Sequence, residues 1–213
     1  MQIAIDGPAG AGKSTIAKLV AKKLGITYLD TGAMYRAVTL AVMRQGGDFS
    51  DSASMIRIAG ECDIALSDDH VFLNGEDVTD AIRTPEVSKH TSDVAPIAEI
   101  RDILVEEQRR IAEGTSVIMD GRDIGSVVLP GADYKFYLDA DAAVRAERRY
   151  KELSEKGTDQ TLEEIHRDII KRDYNDMHRE SSPLVKADDA VVIDSTSMGI
   201  DEVAQTIISH IQA

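Results

Sequence analysis

Residues 5–14 read Ile5-Asp6-Gly7-Pro8-Ala9-Gly10-Ala11-Gly12-Lys13-Ser14. From Gly7 to Ser14 they fit the pattern GxxxxGK[ST]. The apolar run 2–6 before them reads as a short buried strand. Residues 13–24 behind them carry Ile16, Leu19, Val20 and Leu24 at helical spacing, with Gly25 as a stop. Strand, glycine loop and helix in this order form a phosphate-binding loop. Glycines let the backbone N–H groups turn inward, and the helix start adds unpaired donors and a positive dipole end. Lys13 can reach β- and γ-phosphates, and Ser14 can offer its hydroxyl to Mg²⁺. Gly7, Pro8, Ala9, Gly10, Ala11, Gly12, Lys13, Ser14 and Thr15 are the expected ATP contacts.

The alternation continues outward from this loop. Residues 26–29 read as a strand and 33–44 as a helix. Residues 97–113 read as a charged amphipathic helix ending at Gly114. Then follow strands 116–120 and 134–138, helices 141–156 and 161–179, a strand at 190–194 and a closing helix at 200–211. Such alternation predicts an α/β fold with a parallel sheet covered on both faces. Residues 63–80 break the rhythm. Two short strands, with Asp68-Asp69 between them and Asn74-Gly75 after, predict a small antiparallel insertion.

Composition sets limits. The chain has 213 residues, 43% of them hydrophobic, which suits one domain with a real core. With 4% aromatics and no Trp, that core is aliphatic. A net charge of −14 disfavours nucleic acid or an anionic membrane as partner, while a few arginines can still serve a small anion. Cys62 is the single cysteine and permits no internal disulfide, so a small apolar role is expected. The N-terminus shows no secretory pattern and no apolar run approaches a membrane span, so the cytoplasm is the default location.

Asp120 ends the apolar run Val117-Ile118-Met119, at the strand edge where ligands bind in open α/β sheets, and is the expected second metal group, through water. The loop alone suits a GTPase switch, a motor or a small-molecule kinase. The Asn-Lys-x-Asp and Asp-x-x-Gly signatures of a switch are absent. Arginines beside turn or helix-end signals (Arg36, Arg83, Arg101, Arg122, Arg172, Arg179) favour a second anionic substrate. Asp120-Gly121-Arg122-Asp123 sets two carboxylates around one arginine just beyond a strand.

These residues together resemble the bacterial cytidylate kinases over nearly the whole chain. The resemblance rests on Ile5–Pro8 with the loop, Asp30-Thr31-Gly32-Ala33-Met34-Tyr35-Arg36, Gly75-Glu76-Asp77-Val78, Ile82-Arg83-Thr84, and Met119-Asp120-Gly121-Arg122-Asp123-Ile124-Gly125. It extends to Arg172-Asp173, Ser182-Pro183-Leu184 and Ala187-Asp188-Asp189-Ala190. It implies a P-loop NTPase fold of the nucleoside monophosphate kinase type, with a five-stranded parallel sheet. A monophosphate-binding region would cover approximately residues 31–100 and a short lid 145–160 of a single domain. It implies transfer of the γ-phosphate of ATP to CMP or dCMP, with Mg²⁺, by a chain expected to be a monomer.

The resemblance also implies roles. Arg36, Arg122 and Arg179 would hold the acceptor phosphate, and Lys13, Arg122 and Arg179 would be the catalytic set. Ser92, Arg101 and Asp123 would read cytosine, Arg172 and Asp176 would face the ribose, and Tyr35 would flank the nucleotide. Thr31 stands where some members have Ser and keeps the hydroxyl. Arg145, Arg148 and Arg149 are lid candidates for closing on ATP. The residue chemistry agrees on the base. Cytosine offers N4 hydrogens to a carboxylate and N3 or O2 to an arginine, whereas uracil sets a carbonyl against Asp123. A kinase for another acceptor, such as shikimate or a different nucleotide, and a nucleotide switch without transfer remain as alternatives.

Overall fold

The computed structural model describes residues 1–67, 70–155, 157 and 159–212. The chain forms two compact units, residues 1–28 with 116–213, and residues 29–115.

Strand β1 (Gln2–Asp6) is the centre of the first unit. Ile3, Ala4 and Ile5 are fully buried in succession, as a parallel strand covered on both faces requires. Parallel neighbours flank it on either side: β6 (Val117–Gly121), with Ala4 opposite Met119, and β7 (Tyr134–Asp139), with Ile5 opposite Phe136. Beyond β7 lies β8 (Val191–Asp194), and β2 (Thr27–Asp30) completes a five-stranded sheet in the order β2-β6-β1-β7-β8. Helices α1 (Lys13–Leu24) and α8 (Ile200–Gln212) set Ile16, Val20, Val203 and Ile207 against Ile3, Ile5, Phe136 and Leu138 in one core, aliphatic but for Phe136 among these residues. Helices α6 (Ala142–Ser154) and α7 (Leu162–His178) form a hairpin closed by Ala146, Ile165 and Ile169. A capping box at Thr161 and Glu164 starts α7.

The second unit contains α2 (Thr31–Arg44), α3 (Ser52–Gly60), α4 (Pro85–Val94) and α5 (Ala98–Ala112), with an antiparallel sheet of β3 (Ile64–Ser67), β4 (His70–Leu73) and β5 (Glu76–Asp77). Asn74 and Gly75 turn the chain between β4 and β5 with φ of 52° and 81°, the left-handed pair expected of a tight hairpin. The expected Asp68-Asp69 turn lies outside the described residues.

Helices α3 and α4 are absent from the sequence reading, though their start signals are local. The Asp51 carboxylate accepts from Ser54 N at 3.1 Å, and Thr84 Oγ1 accepts from Val87 N at 3.3 Å just before Pro85. The expected lid segment, 145–160, begins inside the helix expected at 141–156. Residues 145–154 belong to α6, so at most 155–161 connects α6 to α7, and Lys156 and Thr158 lie outside the described residues. Cys62 is half-buried, its Sγ 3.2 Å from Ile58 O, with burial pushing the thiol up to about 11.

Candidate active site

The phosphate loop turns between β1 and α1. Gly7 is fixed by space as well as by conformation: its φ is 149°, and a Cβ there would lie 2.0 Å from Leu138 O. Gly12 caps α1 with φ 88°, so the helix begins at Lys13 with its first N–H groups outside the helical ladder. Lys13 is buried and donates to Pro8 O at 2.8 Å, curling its ammonium over the loop. Burial and the charges of Arg122 and Arg172 lower its pKa against the pull of Asp120 and Asp6. A phosphate chain would supply the negative charge this ammonium lacks.

Ser14 and Asp120, the two expected metal ligands, meet directly. Ser14 Oγ donates to Asp120 Oδ2 at 2.8 Å, and Tyr28 OH donates to Asp120 Oδ1 at 2.7 Å. A hydroxyl and a carboxylate so close, at the head of a phosphate-loop helix, are the hard oxygen donors that suit Mg²⁺ with the rest of its shell from water and phosphate. Tyr28 is a site residue that sequence reasoning missed. Only its place in β2, the strand beside β6, hints at it.

The strand-edge arginine is held by a partner far along the chain. Arg122 Nε donates to Asp176 Oδ2 at 2.7 Å. Arg179 Nη1 lies 3.9 Å from Asp176 Oδ1, and its Nη2 lies 3.7 Å from Asp123 Oδ1. Arg122, Asp123, Asp176 and Arg179 therefore form one cluster within the first unit, with Lys13 in electrostatic reach. Burial alone would raise the Asp176 carboxyl, but Arg122, Arg172 and Arg179 outweigh it and hold it below the usual range. Arg172 sits one turn before Asp176 on the exposed side of α7. Asp176, expected to face a ribose, also serves as the anchor of two arginines.

Behind this cluster lies Asp6, which the sequence reading left without a role. Its carboxylate accepts from Ile124 N at 2.8 Å and Gly125 N at 2.7 Å. These open a wide π-type turn, Ile124–Val128, in which Val128 N donates to Asp123 O at 3.1 Å. Asp6 thus ties the loop bearing Arg122 and Asp123 to the strand entering the phosphate loop. Its position one residue before Gly7 was the only sequence signal.

Of the lid arginines, Arg145 is buried and bonded to Ala9 O, Ala140 O and Asp173. Arg148 donates to Ser195 O at 2.6 Å, and half-buried Arg149 pairs with Glu152.

The second unit gathers its own set. Asp30 caps α2 through Ala33 N at 2.9 Å and pairs with Arg36 at 2.9 Å. Arg36 Nε is buried and has no hydrogen-bond partner among the described residues. Arg101 is buried on α5, with its guanidinium 5.3 Å from the centroid of Tyr35 and one N–H on Ala95 O at 3.1 Å. Thr31 is buried at the first turn of α2, and Ser92 is exposed on α4.

With this geometry in place, the sequence comparisons decide the family. The profile described as cytidylate kinase matches residues 3–213. The chain belongs to the cytidylate kinase family. It is 54% identical to the cytidylate kinase of Clostridioides difficile, over 98% of this chain and 97% of that one. It is 51% identical to the cytidylate kinase of Caldanaerobacter subterraneus, over 100% and 95%. Among solved structures, a shikimate kinase from Bacteroides thetaiotaomicron aligns with a TM-score of 0.51 at 13% identity, covering 100% of this chain and 99% of that one. That last likeness concerns the kinase fold. No helix among the described residues is long and apolar enough to cross a membrane.

Proposed function

We propose that this member of the cytidylate kinase family transfers the γ-phosphate of ATP to CMP or dCMP. The observation that carries the reading is the Arg122–Asp176–Arg179 cluster, within electrostatic reach of Lys13 in the phosphate loop. A phosphate loop needs cations for its donor. A second, carboxylate-braced pair of arginines suits an acceptor that is itself a phosphate.

In this reading the loop from Gly7 to Thr15 and Lys13 hold ATP. Arg36, Arg122 and Arg179 take the acceptor phosphate, Ser92, Arg101 and Asp123 the cytosine, and Arg172 and Asp176 the ribose, with Tyr35 and Thr31 beside the nucleotide. Ser14 and Asp120 would hold Mg²⁺, directly or through water, and the ion would neutralise charge on the phosphate oxygens. Phosphoryl transfer asks mainly for alignment and charge neutralisation, which these residues supply. The acceptor oxygen is already anionic near neutral pH, so no dedicated base is required, and no covalent enzyme intermediate is needed. The segment of approximately residues 145–160 would close as a short lid and limit hydrolysis of ATP. The chain would act as a monomer in the cytoplasm.

A coupled ADP-release assay across CMP, dCMP, UMP, AMP and shikimate tests this. Release that depends on CMP or dCMP supports it. Release independent of any acceptor, or greatest with shikimate, overturns it.

A further inference from the structure

Ala9, the third residue of the phosphate loop, is gripped on both of its backbone groups by one buried ion pair. Asp173 Oδ1 accepts from Ala9 N at 3.1 Å, and Arg145 Nη1 donates to Ala9 O at 2.8 Å. The same Nη1 lies 2.7 Å from Asp173 Oδ2, and Arg145 Nε donates to Ala140 O at 2.8 Å. Arg145 is 5% exposed and Asp173 8%. Gly10 is close as well: a Cβ there would sit 3.4 Å from Arg145 Cβ.

Burying two charges is costly, and a buried ion pair is weak evidence of a stability gain. Conformational definition is the better account here, because all the contacts converge on one loop residue. Asp173 belongs to α7, and Asp176, three residues on and so on the same side of the helix, holds Arg122 and approaches Arg179. One helix therefore grips the donor loop at one position and the acceptor arginines at the next.

We infer that Asp173, acting with Arg145, is a positioning residue that couples occupancy of the phosphate loop to the arginine cluster, so that the two nucleotides bind with positive cooperativity. The inference rests on the reading of Arg122 and Arg179 as acceptor-phosphate ligands. A donor nucleotide that fixes the loop fixes Ala9, hence Asp173, hence the orientation of α7 and of Asp176 with its arginines. The coupling is reciprocal by thermodynamic necessity.

The test measures the dissociation constant of CMP by calorimetry, alone and with saturating Mg²⁺ and a non-hydrolysable ATP analogue. The wild-type protein should bind CMP at least about 5-fold more tightly with the analogue present, the lower end of ordinary coupling. Asp173→Asn keeps an oxygen for Ala9 N but releases Arg145, and Arg145→Lys keeps the charge but loses the fork. Each should bring the ratio of the two constants close to one. Lys171→Ala, exposed on the same helix, should leave it at the wild-type value. A role in stability alone would weaken both constants together and preserve the ratio. A wild-type ratio of one, variants that retain the wild-type ratio, or loss of folded protein in both variants would each overturn the inference. Failure of CMP to bind at all is a separate outcome, and it would sink the functional reading on which the inference depends.

Discussion

Ser14 and Asp120 are 106 residues apart in the chain, yet the Ser14 hydroxyl lies 2.8 Å from the Asp120 carboxylate. The pairing follows from the register of β1 beside β6, which sets the start of the phosphate loop level with the end of the neighbouring strand. Asp120→Ala and Lys13→Ala should each lower turnover by ~10²–10³-fold, the usual cost of one positioned charge-stabilising group. They should also differ. Asp120→Ala should shift the Mg²⁺ concentration needed for half-maximal rate, whereas Lys13→Ala should not. Initial rates across a Mg²⁺ titration, with thermal melts to confirm folding, check both. Near wild-type turnover in a folded Lys13→Ala protein would remove its assigned role.

Asp176 braces Arg122 and approaches Arg179, so its loss should reach further than a ribose contact would. Asp176→Ala should reduce kcat/KM for CMP and dCMP together, with a smaller additional difference between them from the 2′-hydroxyl. Leaving a partly buried arginine without its carboxylate should also lower stability, by about 1–3 kcal/mol. Kinetics with both substrates and urea melts on one preparation decide this. A loss confined to CMP would restrict Asp176 to the ribose.

Asp123 is separable from that brace, because Arg122 Nε is bonded to Asp176, while Arg179 Nη2 lies 3.7 Å from Asp123 Oδ1. Asp123→Asn should therefore relax the choice of cytosine over uracil. Its amide can donate to the uracil O4 that a carboxylate repels, so CMP efficiency should fall while the UMP/CMP ratio rises, by tenfold for each ~1.4 kcal/mol transferred. Measuring kcat/KM for both nucleotides tests the assignment. An unchanged ratio would leave Asp123 supporting Arg179 alone.

Asp6 gives a pH signature. Burial raises its carboxyl from 3.8 to about 6, against the lowering by Gly125 N and Ile124 N. Asp123 pushes in the same direction as burial, Lys13 opposes it, and the half-buried Tyr137 also faces it. The folded state thus binds a proton more tightly than the unfolded chain does. This contribution to stability is full below pH 4 and is lost as pH rises toward 6. Roughly two pKa units correspond to about 3 kcal/mol. The stability difference between the wild type and Asp6→Asn should therefore shift against the wild type by that order between pH 4 and 6.5, and then level off. Urea unfolding of both proteins at intervals across this range measures it, and a flat difference would show that Asp6 is not titrating there.

The parts legible in the sequence are those whose physics is local. A glycine loop between a buried strand and an amphipathic helix fixes the phosphate site within about twenty residues, and the alternation of strand and helix fixes the sheet class. The hairpin at Asn74-Gly75 is local for the same reason, since only a residue pair tolerant of positive φ makes that turn. The start signals of α3 and α4 are equally local, in Asp51 and in Thr84-Pro85.

What tertiary structure alone decided is which distant charges meet. Asp6 reaches the turn at residues 124–125, Asp176 reaches Arg122 across 54 residues, and Asp173 reaches Ala9 across 164. The sequence offers 38 acidic and 24 basic side chains, and nothing in their spacing says which will be buried together. Burial makes the choice. An ionised group withdrawn from water needs a specific partner, and which partner stands opposite depends on strand order and on the orientation of α7 over the sheet.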